Sequence, residues 1–246
     1  MTAQEDYQRP EAMTARLLAL PRRLPWHPWT GCSPISPSCL NCYAVPETGD
    51  LVVQTRRGPV WNGRLRFNEG EIDLPRRTPP HAYFDVCPHG DAFHESAPDA
   101  WLDRVFAVME AERYQRFVVM TKRADRMLSY LSARYYGGRR APGHIAFGVG
   151  VERQLEANQR IPALLAAPAQ TKYLTVYALL GPLDLDAIPG VDRAALRQFC
   201  QVIVGEGWLT PSADSDWYAP VVETIKAIGV PIMQSDLLAD AERRGY

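Results

Sequence analysis

From about residue 80 onward the chain alternates short apolar runs with amphipathic stretches. The runs "AYFDVC", "RFVVMT", "HIAFGVGV", "KYLTVYAL", "CQVIVG" and "VPIMQS" predict strands. Between them, "PDAWLDRVFAVMEAER", "ADRMLSYLSARY", "EANQRIPALLAA", "RAALRQF" and "YAPVVETIKAIG" predict helices. In the first of these, Trp101, Leu102, Val105, Phe106 and Met109 recur at helical spacing and read as core. Strands alternating with helices are the pattern of parallel strands joined by crossover helices. About six such units predict an α/β fold, a full or partial (β/α) barrel, with a doubly wound sheet as the alternative. In either architecture chemistry sits at the C-terminal strand ends, so the residues just after each strand are the ones to read.

Before residue 80 the pattern is weaker. A helix is expected around Glu11 to Leu20, the run "LPRRLPWHPWTG" reads as loop, and "LVVQT" with "RLRFN" predicts a small hairpin around Gly58 to Gly63. The whole of 1–246 reads as one domain: 1–24 an N-terminal extension, 25–80 a cysteine loop and basic insertion, 81–246 the βα units. At 246 residues and 46% hydrophobic, the chain can bury one large core.

Charge changes the picture little. A formal net charge of -1 gives no global attraction to nucleic acid or to a membrane, so any polyanion must be met by a local patch. Residues 51–140 carry 15 Lys and Arg against 11 Asp and Glu, the rest 12 against 17. Within that window Arg56, Arg57, Arg64, Arg66, Arg76 and Arg77, interleaved with Trp61 and Phe67, suit a nucleic-acid backbone and an unstacked base; ordinary exposed arginines are the other reading. No stretch approaches the roughly 20 apolar residues of a membrane helix, and the N-terminus lacks the basic-then-apolar order of a secretory signal. The expected location is the cytoplasm.

That compartment bears on "GCSPISPSCLNCYA", which holds Cys32, Cys39 and Cys42, three of the five cysteines. Clustered cysteines in a reducing cytosol are more often metal-binding or catalytic than disulfide-bonded, and five leaves one unpaired. A structural zinc needs a fourth ligand, for which His27, Cys87, His89 and His94 are candidates. Three thiolates also suit a four-iron cluster with one iron left open to a substrate or cofactor. The spacing alone leaves both readings standing.

The run "WHPWTGCSPISPSCLNCYA", followed in order by "GDAFHESAPDAWLDRVFAVM", "MTKRADRM", "GVGVE", "IPALLAAP" and "LLGPLDL", resembles a phage-associated three-cysteine family similar to radical S-adenosylmethionine (radical SAM) enzymes. The likeness runs from about Pro25 to about Gln234. Radical SAM enzymes most often space their cysteines C-x3-C-x2-C with an aromatic beside the last; here the second gap is kept, Tyr43 follows Cys42, and the first gap is longer. The resemblance implies a [4Fe-4S] cluster on Cys32, Cys39 and Cys42 whose open iron is chelated by S-adenosylmethionine. It also implies reductive cleavage to a 5'-deoxyadenosyl radical that abstracts hydrogen from the substrate, with a flavodoxin or ferredoxin as electron donor.

Tyr43, Asp91, His94, Lys122 and Glu152 are then candidates for holding the cofactor. Asp91 and His94 stand where radical SAM barrels meet its methionine end; a capping Asp and a surface His are the alternatives. Lys122 and Arg123 end a strand where cations meet a carboxylate or phosphate, or form a solvated pair. Glu152 would take ribose hydroxyls, or start the next helix. Cys87, Tyr177 and Glu206 are the catalytic candidates: a thiol one residue past a strand or a buried hydrophobe, a Tyr beside Ala178 and Leu179 where the family more often has Glu-Pro, and an acid beside Trp208 in "VGEGW". Cys200 reads as core.

After the three cluster ligands only Cys87 and Cys200 remain, too few for a second cysteine-bound cluster, so sulfur insertion and peptide oxidation are disfavoured. No segment has room for a cobalamin domain. Rearrangement, bond cleavage or hydrogen transfer is left. With the phage setting that the resemblance brings, the expected activity is an isomerase, or next a lyase, on a hypermodified thymine or other pyrimidine of phage DNA, flipped or unstacked to reach the cluster. A zinc-bearing nucleic-acid-binding protein, and a radical SAM enzyme acting on a metabolite or tRNA, are the rivals.

Overall fold

The computed structural model describes residues 24–177, 179–205 and 215–234. The expected helix at Glu11 to Leu20, and Ala178, Glu206 and Trp208, lie outside the described residues. The strands in chain order are β1 (Leu24–Trp26), β2 (Trp29–Thr30), β3 (Val52–Thr55), β4 (Gly58–Trp61), β5 (Arg66–Phe67), β6 (Tyr83–Val86), β7 (Arg116–Thr121), β8 (Ala141–Val151), β9 (Ala169–Tyr177), β10 (Phe199–Gly205) and β11 (Ile232–Gln234). The helices are α1 (Leu74–Arg77), α2 (Asp99–Ala111), α3 (Ala124–Arg134), α4 (Gln154–Ala166), α5 (Arg193–Leu196) and α6 (Ser215–Ile228).

Seven strands form one parallel sheet in the order β1-β6-β7-β8-β9-β10-β11. Each of the six runs expected to be a strand supplies one, because alternate residues of each serve opposite faces. On β8, Ile145, Phe147, Val149 and Val151 point into the large core, where Leu102, Val105, Phe106 and Met109 of α2 and Ile161 and Leu164 of α4 meet them. The alternate residues lie on the other face, where Val118, Ala146, Tyr173 and Ile203 form a second, smaller cluster. Gly148 belongs to that face, and a Cβ there would stand 2.2 Å from Tyr173 Cζ, so the glycine is what lets the ring lie across β8.

Two expectations for the N-terminal third are corrected. The run read as loop contributes β1, which pairs in parallel with β6 at the sheet edge. Trp26 explains why: its side chain is fully buried between Phe84 and Phe117, with ring centroids at 6.3 and 5.6 Å. The "LVVQT" strand does form a hairpin, but with Gly58–Trp61. "RLRFN" instead gives β5, antiparallel to β2, with Phe67 seated on Trp101 at 4.6 Å.

Candidate functional site

The cysteine stretch runs across the C-terminal ends of the sheet strands, on a loop that closes on the loop after β6. Gly31 forms a parallel bridge with Gly90, and its N–H donates to the His89 carbonyl at 3.0 Å. Gly31 has φ +112, and a Cβ there would stand 2.2 Å from the Arg64 carbonyl oxygen, so only glycine fits. From it hangs Cys32, then "SPISPS" and a 3₁₀ turn, Pro37–Asn41, that carries Cys39 and leads into Cys42. None of the five cysteines is in a disulfide.

Each strand end beneath the loop sends up polar groups. Lys122, one residue past β7, donates to Ser36 Oγ at 3.1 Å, Ser38 Oγ at 2.5 Å and Cys39 Sγ at 3.5 Å, and forms an ion pair with Glu152. Glu152, one residue past β8, also accepts from Ser36 Oγ at 2.7 Å and from the Ser38 amide at 3.1 Å. Burial would raise its carboxyl, but the Lys122 ammonium and these hydrogen bonds outweigh it and hold it at about 2.

The next residue along, Arg123, faces Cys32. Its guanidinium donates to Cys32 Sγ at 3.6 Å, Ser33 Oγ at 2.8 Å, the Ser33 carbonyl at 3.1 Å, Glu95 at 2.8 Å and Asp91 at 3.1 Å. Asp91 in turn is saturated: its oxygens also accept from Thr121 Oγ1 at 2.6 Å, the Phe93 amide at 2.9 Å and the Lys122 amide at 3.1 Å. His94 is buried with Nε2 at 2.9 Å from Ser33 Oγ and Nδ1 accepting from the Ser96 amide at 3.1 Å. An acceptor at Nδ1 puts the proton of the neutral ring on Nε2, which then donates to Ser33.

The thiols therefore sit in unlike surroundings. Burial, with the Asp91 charge next, pushes Cys32 up to about 12. Burial also raises Cys42. For Cys39 burial acts upward too, but Lys122 and the Ser36 hydrogen bonds prevail and its thiol falls below the ordinary value. Cys87 is fully enclosed, is raised by burial, and has φ +53, a left-handed conformation unusual for a side-chain-bearing residue.

The structure thus brings Cys32, Cys39, Asp91, His94, Lys122 and Glu152 into one network, with Cys42 beside it in an apolar cluster of Ala44, Leu51 and Trp61. Tyr43 follows as an exposed ring, and Tyr177 ends β9 half-buried. Cys200 sits at a bulge of β10 against the smaller cluster. Lys122 and Arg123 are not a solvated pair: each meets a carboxylate and a thiol. Sequence reasoning missed Ser33, Ser36 and Ser38, the loop's own contacts to the strand ends; their placement inside the six-residue cysteine spacer is the one signal that marked them.

Cys39, whose thiol Lys122 and Ser36 hold toward the thiolate, fits a site that holds metal through sulfur, and Arg123 offers Cys32 a charged donor, while burial keeps Cys32 and Cys42 as thiols. Among the described residues no group of three His, Cys, Asp or Glu is gathered as one metal ion would gather it. One zinc at about 2.3 Å would draw three sulfurs to within about 4 Å of each other.

Residues 23–235 match the model of a family described as protein of unknown function (DUF5131). No curated protein and no solved structure matches the chain.

Proposed function

We propose that the chain, which belongs to the DUF5131 family, is a radical SAM enzyme that holds a [4Fe-4S] cluster on Cys32, Cys39 and Cys42. The observation that carries the proposal is the pairing of consecutive cations with the loop's sulfurs: Lys122 on Cys39 at 3.5 Å and Arg123 on Cys32 at 3.6 Å. A solvent-facing cysteine staple has no need of one half-buried and one buried cation at its sulfurs, whereas thiolates bound to iron carry net negative charge that such groups offset. The fold reading goes with it. Strand order in the sheet does not reverse among the described residues, which supports a partial (β/α) barrel over a doubly wound sheet, whose order switches.

When bound, the cluster and S-adenosylmethionine would together supply a 5'-deoxyadenosyl radical able to take hydrogen from an unactivated carbon. The chain's own residues divide the remaining work. Asp91 and His94 have their polar atoms committed to Thr121, Arg123, Ser33 and Ser96, so they hold the loop in place. Glu152 does the same for the turn that carries Cys39, through Ser36 and Ser38. Tyr43 and Tyr177, neither fully buried, are the proposed contacts to the cofactor and substrate. Glu206 and Cys87 are the proposed catalytic groups, the latter as a hydrogen donor.

Two thiols beyond the loop, Cys87 and Cys200, cannot ligate a second four-iron cluster alone, which favours chemistry that one cluster supports. We take the reaction to be an isomerisation, or a lyase cleavage, of a hypermodified pyrimidine in phage DNA, with a small redox protein as electron donor. The enzyme class rests on the cysteine site, the substrate on the family resemblance.

Anaerobic purification with iron and sulfide counting tests the class. About four irons and four sulfides per chain are expected, falling below one with Cys39→Ala. A colourless protein with one zinc, or a Cys39→Ala variant that keeps its iron, contradicts the proposal.

A further inference from the structure

The six arginines between the cysteines and the sheet do not form one basic surface. Arg66 is paired with Asp50, Arg76 with Asp73 at 2.7 Å, and Arg77 with the Gly70 carbonyl at 2.8 Å. Nor are the interleaved rings offered to a ligand, since Trp61 is buried and Phe67 is seated on Trp101. What remains is local. Arg56 and Arg57 form the tip of the β3–β4 hairpin and Arg64 follows it; all three are exposed, and among the described residues their side chains make no hydrogen bond or ion pair.

The tip is built, not loose. Thr55 Oγ1 donates to the Gly58 carbonyl at 2.7 Å and accepts from the Arg57 amide at 3.1 Å, closing the turn from inside. The hairpin is also fastened to the cysteine loop: the Gly63 amide donates to the Cys32 carbonyl at 2.9 Å, and Trp61 packs in the cluster on which Cys32 and Cys42 lie. That loop leaves Ile35, Leu40 and Tyr43 unusually open for apolar residues, at 41%, 38% and 40% exposure. Two adjacent, exposed guanidiniums on a closed turn of this hairpin, with an exposed aromatic and two aliphatic side chains on the loop to which it is fastened, are complementary to alternating phosphates and bases. With a net charge of -1, the protein must meet a polyanion through a local cationic patch such as this one.

We infer that the hairpin tip is a phosphate clamp, in which Arg56 and Arg57, aided by Arg64, hold the backbone of a single-stranded polynucleotide across the cysteine loop, with Tyr43 as stacking platform for one base. The substrate class is thus a polymer and not a free nucleotide. The inference takes from the proposed function only the purpose of the bound strand; binding itself needs no cluster.

Fluorescence anisotropy on the full-length, anaerobically purified protein tests it, using a 20-nucleotide thymidine DNA strand, a uridine RNA strand of equal length, and thymidine monophosphate as competitor. We expect at least one strand to bind tenfold or more tighter than the monophosphate, the preferred sugar naming the source. Arg56→Gln/Arg57→Gln should weaken strand binding about tenfold and flatten the log–log salt dependence by about 1.4, the value for two phosphate contacts on a single strand. Arg139→Gln/Arg140→Gln, charge-matched and just before β8 at the opposite strand end, should bind as wild type. Binding and salt slope unchanged in the Arg56/Arg57 variant, or equal losses in the control, overturn the clamp. Iron counts on the same samples separate the two proposals: a failed clamp on protein with full iron leaves the cluster standing, and strand binding by iron-free Cys39→Ala leaves the clamp standing.

Discussion

At the scale of residues, the site is a set of buried charges that hold one another. Asp91 accepts four hydrogen bonds, one of them from Arg123, and removing a partner from such a pair leaves a charge without compensation. Asp91→Asn is expected to lower unfolding free energy by about 3 kcal/mol in urea melts; a loss below about 0.5 kcal/mol would show that the network contributes nothing to the fold. Glu152 gives a pH dependence of known sign. Its folded value of about 2 lies below the ordinary 4.5, so the stability it contributes is full above about 4.5 and is lost as pH falls toward 2. Urea midpoints of wild type should therefore fall more steeply over that window than those of Glu152→Gln; parallel curves would contradict the assignment. These residues were legible because polar side chains directly after an apolar run stand out. The serines were not, since Ser-Pro pairs are ordinary loop composition.

At the scale of elements, periodicity made the six strands after residue 80 and the main helices readable, because burial on one or both faces is written into every second or fourth residue. Pairing of the short strands was not. β5 finds β2 some 37 residues earlier, and β1 is a three-residue edge strand that includes Pro25, so neither carries a local pattern. What joins these pieces to the site is the close approach at Gly31. Gly31→Ala must move the Arg64 carbonyl or the loop, and should cost about 2 kcal/mol while speeding alkylation of Cys32 by a thiol reagent in iron-free protein. Gly70→Ala, with open space around it, should change neither. Equal behaviour of the two variants would mean that the loop does not depend on this contact.

At the scale of the whole molecule, a parallel sheet of unreversed order gathers the ends of β6, β7 and β8 under one cysteine loop, and a basic hairpin stands beside it. The cysteines and the strand-end cations marked in sequence the residues that the structure brings together; which arginines are engaged was not legible, because Asp50, Asp73 and the Gly70 carbonyl are ordinary loop groups with no pattern that marks them as partners. Among the described residues no helix is long and apolar enough to cross a membrane. The proposed function has three cysteines holding a cluster on which S-adenosylmethionine is cleaved. Its most direct test is the 5'-deoxyadenosine released when dithionite and S-adenosylmethionine are added to the anaerobic protein. Wild type is expected to form it and Cys39→Ala to form none; iron-loaded wild type that releases none would show that the cysteine site does not cleave the cofactor.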